Sequence, residues 1–282
     1  MNSLKLRSQL EDFFIEDIGE QDLTTDLIFT DDTTGKIVFL SKDEGVFCGE
    51  EVIKTGFRLL NQDINVELFV KDGQAIKKGQ ELAHVSGKIA DLLKGERVVL
   101  NLVQRMSGIS TLTQKTVQTL DSGHTRVCDT RKTTPGLRML EKYAVRCGGG
   151  FNHRFGLYDA VMIKDNHISF AGSISKAVEA VREKAGHMVK VEVEVETEAQ
   201  VREAVDAGAD VIMFDNRTPD EIKEFIKLVP SGIITEASGG IQLSNIADYR
   251  DTGVDYISLG LLTHSYKALD ISVKVIWNKG DE

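Results

Sequence analysis

The chain of 282 residues is long enough for two domains, or for one barrel with an extension. Its 41 % hydrophobic and 28 % charged residues are ordinary for a globular protein, and a net charge of −10 excludes a broad nucleic-acid-binding face while allowing a local basic pocket. No apolar run approaches the roughly 20 residues of a membrane-spanning helix, the start of the chain is charged and amphipathic rather than signal-like, and Cys48, Cys128 and Cys147 lack metal-ligand spacing, so the expected setting is cytoplasmic, with reduced thiols and no membrane partner.

Leu4 to Ile18 predicts a helix with Leu4, Leu10, Phe13, Phe14 and Ile18 on a loose apolar face. Gly35 to Phe47 alternates enough for one strand, a turn follows at Gly49, and Glu50 to Leu60 predicts a helix. Ile64 to Val70 is apolar in period two and predicts a strand. Glu81 to Ser86 predicts another, between turn signals. A long helical segment from about Leu92 through Met106 is expected to bridge two domains.

After about residue 110 the rhythm changes. Short strands are predicted at Thr125–Asp129, Asp159–Ile163, Val189–Val195, Val211–Phe214, Ile233–Glu236 and Tyr256–Leu259. Helices are predicted between the later ones, at Ser173–Lys184, Glu198–Ala207 and Pro219–Val229. Short apolar strand, loop and ten-residue helix is the rhythm of βα units. Pattern alone leaves a barrel and an open doubly wound sheet both possible. The strand ends tilt the choice: nearly all are polar or glycine, and barrels draw their sites from many strand ends. An open sheet concentrates its site at one switch point, and neither GxGxxG nor a P-loop motif is present.

Those ends carry the chemistry. Arg131 and Lys132 precede Thr133-Thr134-Pro135-Gly136 and suit an anion, although a solvated surface turn has the same composition. Gly148-Gly149-Gly150 can expose backbone amides or form a flexible loop, and Asn152-His153-Arg154 adds a proton carrier and a cation. Lys164 ends an apolar strand; it reads as an anion-binding lysine or as part of a helix-capping cluster. In Val191-Glu192-Val193-Glu194-Val195 the valines should pack under helices, turning Glu192 and Glu194 inward, unless this is an edge strand with one wet face. Glu194 and Asp215 could share a magnesium ion brought by the substrate. Ser238-Gly239-Gly240 and Gly260 suit a phosphate grip at the last two strand ends.

Several long motifs occur in fixed order: Arg105-Met106-Ser107-Gly108-Ile109-Ser110-Thr111, Asp129-Thr130-Arg131-Lys132-Thr133-Thr134-Pro135-Gly136, Asn152-His153-Arg154, Lys164-Asp165-Asn166-His167-Ile168, Glu192-Val193-Glu194-Val195 and Glu236-Ala237-Ser238-Gly239-Gly240. Together with Leu23-Thr24-Thr25-Asp26 near the start, they resemble the quinolinate phosphoribosyltransferases, also called nicotinate-nucleotide pyrophosphorylases (carboxylating). The resemblance covers essentially the whole chain. It implies an α/β fold: an N-terminal open-faced α/β sandwich (residues 1–110), an incomplete TIM-like α/β barrel of the type II phosphoribosyltransferases (111–265), and a C-terminal segment (266–282) packing back on the N-terminal domain. It implies quinolinate and 5-phosphoribosyl 1-pyrophosphate as substrates, Mg2+ as cofactor, and a homodimer or larger homo-oligomer with a shared active site. By the same resemblance Arg105 is donated by the neighbouring subunit. Arg131, His153, Arg154 and Lys164 surround quinolinate, with Lys132 at the junction with the phosphoribosyl group. Glu194 and Asp215 face the ribose and the magnesium-associated pyrophosphate, and Ser238, Gly240 and Gly260 cradle the 5′-phosphate. Lys132, Lys164, Glu194 and Asp215 form the expected catalytic set. No departure falls at these positions.

Overall fold

The computed structural model describes residues 1–29 and 33–276. The chain divides into two compact units. The first comprises Met1–Leu112, Met139–Gly149 and the chain from Tyr266; the second comprises Thr113–Arg138 and Gly150–Ser265. The division falls inside one helix rather than in a linker. The expected C-terminal segment is described only as far as residue 276; 277–282 lie outside the described residues.

In the first unit the elements are α1 (Ser3–Ile18), α2 (Leu23–Ile28), β1 (Thr34–Ser41), β2 (Gly45–Val46), α3 (Glu50–Leu60), β3 (Asn65–Leu68), β4 (Ala75–Ile76), β5 (Glu81–Lys88) and the start of α4 (Ile89–Leu120). The helices begin where polar groups satisfy their free amides: Asn2 accepts from Lys5 N at 3.0 Å, and Asp72 Oδ1 accepts from Gly49 N and Glu50 N at 2.7 and 3.0 Å. α3 packs on the sheet through Phe57, whose ring meets that of Phe39 of β1 edge to face at 6.1 Å. The single strand expected over Gly35–Phe47 is two. Ser41 Oγ donates to Asp43 O at 2.6 Å across a turn, and the chain beyond it pairs as β2 with β4 instead.

The second unit continues with β6 (Arg126–Cys128), then α5 (Arg138–Cys147), β7 (Val161–Ile163), α6 (Asp165–Ala171), α7 (Ile174–Arg182), β8 (Val191–Val195), α8 (Glu198–Asp206), β9 (Val211–Asp215), α9 (Pro219–Phe225), β10 (Ile234–Ser238), β11 (Tyr256–Ser258) and α10 (Leu261–His264). All of α5 after its first residue groups with the first unit, where Ser110 Oγ donates to Ala144 O and Tyr143 Oη donates to Asp72 Oδ2, each at 2.7 Å. The last strand, β12 (Ile271–Ile276), pairs antiparallel with β1. The first unit's main sheet thus runs β12-β1-β5-β3.

The other large sheet is parallel, in the order β6-β11-β10-β9-β8-β7. Its first strand in sequence, β6, pairs with its last, β11. That return closes the order around a barrel and rules out the doubly wound alternative. The ring is incomplete because β6 and β7 end the sheet instead of pairing. Among the described residues, Phe151 bridges to this side of β6: its N donates to Val127 O at 2.8 Å while Asp129 N donates to Phe151 O at 3.1 Å. Thr197 with Gln200, and Thr218 with Glu221, form capping boxes that start α8 and α9 directly after their strand-end loops.

Strand alternation sorts the barrel's side chains. Val191, Val193 and Val195 are fully buried, and Phe214, paired in register with Val195, packs against Phe225 of α9. The opposite parity carries Glu192 and Glu194 on β8, Met213 and Asp215 on β9, and Glu236 and Ser238 on β10. β8 lies between β7 and β9, so it is not an edge strand.

Gly108 in α4 is a tight point of the first unit. A Cβ there would stand 2.3 Å from Lys267 O and 2.9 Å from Ala268 Cα, both backbone atoms. Gly108→Ala is expected to cost about 1–3 kcal/mol through overpacking. Urea unfolding should show a lower midpoint with an unchanged m value; an unchanged midpoint would contradict this packing.

Candidate active site

A cavity of about 530 Å³ opens at the C-terminal ends of the barrel strands. Its volume is in the range of small-molecule sites. Of the residues singled out in the sequence, Arg131, Lys132, His153, Arg154 and Lys164 line it on one side, and Glu194, Asp215, Ser238 and Gly240 complete it. Gly260 stands just behind the wall: a Cβ there would meet Lys132 Cδ and His264 Nε2, each at 2.9 Å, so its bareness leaves room for the Lys132 stem. Arg105 belongs to the other unit. There its guanidinium pairs with buried Glu141, with Nε at 3.0 Å from Oε1, and lies over the Tyr266 ring at 5.0 Å.

Each cation is positioned by its local chain. Asp129, fully buried after β6, accepts from Asn152 Nδ2 at 2.6 Å and from His153 N at 2.9 Å. These bonds fix the loop that carries His153 and Arg154. Arg154 donates from Nη1 to Ala160 O at 2.9 Å. Thr263 Oγ1 donates to Lys132 O at 2.8 Å, and Lys132 N donates to Thr130 Oγ1 at 3.0 Å. Lys164 is the capping position of α6 and the ion-pair partner of Glu194.

The phosphate-like corner is made by backbone. Gly239 and Gly240 have φ of +84° and +66°, and a Cβ on Gly239 would collide with the Asn216 side chain at 2.2 Å. Two successive residues with positive φ form a tight turn that glycine adopts without strain. Ser258 Oγ donates to Ser238 Oγ at 3.0 Å beside it.

Two arginines and two lysines face two carboxylates in this cavity, on a chain whose net charge is −10. Burial, and then the neighbouring Arg131 charge, pushes the Arg154 pKa down, opposed by Glu192, Asp159 and Glu194. Arg131 Nε is buried and has no hydrogen-bond partner among the described residues. Both observations call for an anionic ligand. Burial pushes the Glu194 carboxyl up, opposed by its hydrogen bond to Lys164.

The inward Glu192 expected from strand alternation finds its partner here, and Glu236 joins it as a residue the sequence did not single out. Behind His153 lie Glu192 and Glu236, both buried, with His153 Nε2 at 2.9 Å from Glu192 Oε2 and 3.8 Å from Glu236 Oε1. Glu236 was expected to end its strand; β10 in fact continues to Ser238, placing Glu236 in the barrel interior. The alternation that turned Glu192 inward applies equally to Thr235-Glu236-Ala237-Ser238. Asp129 and Asn216 are among the polar strand ends of the sequence, but nothing local shows that Asp129 holds the Asn152-His153 loop or that Asn216 packs against Gly239.

Glu194 and Asp215 also border a smaller recess of about 230 Å³ with Asp165, Glu196 and Gln200. This oxygen-rich donor set suits magnesium, but Glu194 is already paired with Lys164 and neither it nor Asp215 belongs to a close three-donor group among the described residues. The residues therefore fit a hydrated ion carried by a substrate rather than one caged by protein.

The family model described as quinolinate phosphoribosyl transferase, N-terminal domain, matches residues 22–107, and the corresponding C-terminal domain matches 109–274. A curated relative from Bacillus subtilis (strain 168), named probable nicotinate-nucleotide pyrophosphorylase [carboxylating], is 57 % identical over 275 residues, covering 98 % of this chain and 95 % of its own. A Nicotiana tabacum relative, named quinolinate phosphoribosyltransferase [decarboxylating] 2a, mitochondrial, is 40 % identical over 280 residues, covering 92 % of this chain and 79 % of its own. The crystal structure of NadC from Streptococcus pyogenes superimposes with a TM-score of 0.95 at 39 % identity, covering 99 % of both chains.

Burial and the adjacent Glu192 charge push the Glu236 carboxyl up to about 7 from 4.5. A carboxyl raised on folding contributes stability below its unfolded pKa and loses it as pH rises through the folded value. Between pH 5 and pH 8 the wild-type protein should lose roughly 3 kcal/mol that Glu236→Gln does not. Urea titrations across that range test this; parallel pH profiles for the two proteins would refute it.

Proposed function

The chain belongs to the quinolinate phosphoribosyltransferase family, and on that premise we propose that it converts quinolinate and 5-phosphoribosyl 1-pyrophosphate into nicotinate mononucleotide, pyrophosphate and carbon dioxide, a step of NAD biosynthesis. The observation that carries this reading most directly is the surplus of cations in the cavity, with the buried Arg131 Nε lacking a partner among the described residues. A dicarboxylate supplies what that arrangement lacks.

Arg131, His153, Arg154 and Lys164 hold the two carboxylates of quinolinate, and Lys132 reaches the junction with the phosphoribosyl group. Ser238, Gly240 and the turn at Gly260 take the 5′-phosphate. The pyridine nitrogen attacks the anomeric carbon as pyrophosphate departs, and Glu194 and Asp215 stabilise the positive charge that develops on the sugar. The ring nitrogen becomes cationic and draws the electron pair released when the adjacent carboxylate leaves as carbon dioxide. Magnesium, held through its water shell near Glu194 and Asp215, would neutralise the leaving pyrophosphate. Lys164 acts by charge, with no covalent step.

The working form we propose is a cytoplasmic homodimer or larger homo-oligomer with a shared active site. Arg105 then completes the quinolinate pocket of the neighbouring subunit. Its pairing with Glu141 and stacking on Tyr266 would hold the guanidinium ready.

Incubation with quinolinate, the pyrophosphate donor and magnesium should yield nicotinate mononucleotide, pyrophosphate and carbon dioxide in equal amounts. Turnover of nicotinate without carbon dioxide release would favour a different aromatic acid as substrate. Arg131→Ala and Arg105→Ala should each lower kcat/KM by tens to thousands fold, about 2–5 kcal/mol. Mixed oligomers of the two variants should regain activity, because some sites then receive both arginines; no recovery despite demonstrated subunit exchange would sink the shared site.

A further inference from the structure

Decarboxylation creates a demand that the binding residues do not meet. When carbon dioxide leaves, the bonding pair stays on the ring carbon, and a C–H bond must form there. The guanidinium groups of Arg131 and Arg154 hold their protons too tightly to give one up, and Lys164 is paired with Glu194. His153 is the lining side chain whose ordinary proton affinity lies near neutrality.

What lies behind His153 is unusual. Glu192 and Glu236 are 5 % and 4 % exposed and do not line the cavity. Each has one oxygen, Oε1, that is buried with no hydrogen-bond partner among the described residues. Two ionised carboxylates in that position would repel each other without solvent to screen them, and a proton on one of them relieves the conflict. The groups facing Glu236 are Glu192 and Glu194 of β8, His153 on the loop after β6, and Ser258 of β11; burial and the Glu192 charge favour its protonated form. The imidazole stands between this acid pair and the cavity.

We propose that Glu236 is the proton store for the decarboxylation step, with Glu192 orienting His153 and His153 delivering the proton. The proposal rests on quinolinate being the substrate. The carbon–carboxylate bond breaks, carbon dioxide departs, and the electron pair left on the ring carbon takes a proton from the imidazole. As the imidazole nitrogen facing the cavity gives up its proton, Nε2 takes one from the acid pair; once product has left, that nitrogen takes a proton from solvent and Nε2 returns its own to Glu236. No oxidant or further reactant is needed. His153 is thereby a catalytic residue as well as a binding one, and Glu236 acts through it.

Glu236→Gln keeps the size of the side chain but cannot give up an acid proton. Wild-type turnover of quinolinate, measured first, is the control on the substrate reading. In the variant, kcat should fall by about 100-fold or more, while KM for both substrates stays within roughly threefold. In a rapid-quench single turnover, pyrophosphate should form at the wild-type rate while nicotinate mononucleotide lags and the carboxylated mononucleotide accumulates. The wild-type kcat should decline with rising pH near 7, and the variant should lack that limb. A kcat within about threefold of wild type overturns the proposal. So does an equal slowing of pyrophosphate and nicotinate mononucleotide, which would mean that Glu236 only holds the site in shape. Retained pyrophosphate formation is itself the proof that the variant folds.

Discussion

A carboxylate turned into the interior of a parallel barrel must meet a cation, a proton or a ligand, and three such carboxylates organise this protein's site. Glu194 meets Lys164. Glu192 meets His153. Among the described residues Glu236 meets no cation closer than 3.8 Å, and burial beside Glu192 raises its proton affinity. The cost of leaving any of them bare exceeds that of most single packing contacts, so the loops that deliver Lys164 and His153 are as necessary to the barrel as to its chemistry.

The same constraint explains the loop after β6. Asp129 is buried at the strand end and is satisfied by Asn152 and His153 N. That pair of bonds brings a segment more than twenty residues away back to the cavity. The excursion between them contains α5, which packs with the first unit instead. Among the described residues, Phe151 provides the bridge to Cys128 beside β6.

An acidic chain can still make a basic pocket because the two charges are sorted by position. Surface helices carry many of the carboxylates, several paired at i,i+3 or i,i+4 spacing, as in Lys227 with Glu224 and Arg202 with Glu198. The cations of the cavity come instead from strand-end loops, where one direction of approach is open. A dianionic substrate then meets a concentrated positive surface on a protein that would otherwise repel it.

The sequence by itself determined the βα rhythm and the parity that sets Glu192 and Glu194 opposite the valines, because alternation is local and needs no partner strand. It also pointed to nine residues that line the cavity, since polar groups at strand ends are conspicuous after apolar runs. Only the tertiary structure decided that β6 returns to β11 and so makes a barrel, that β1 breaks at Ser41, and that α5 leaves the unit around it in sequence. It alone placed Glu236 behind His153: the register between β8, β9 and β10 joins residues more than forty positions apart, and local periodicity does not encode which strand lies next to which.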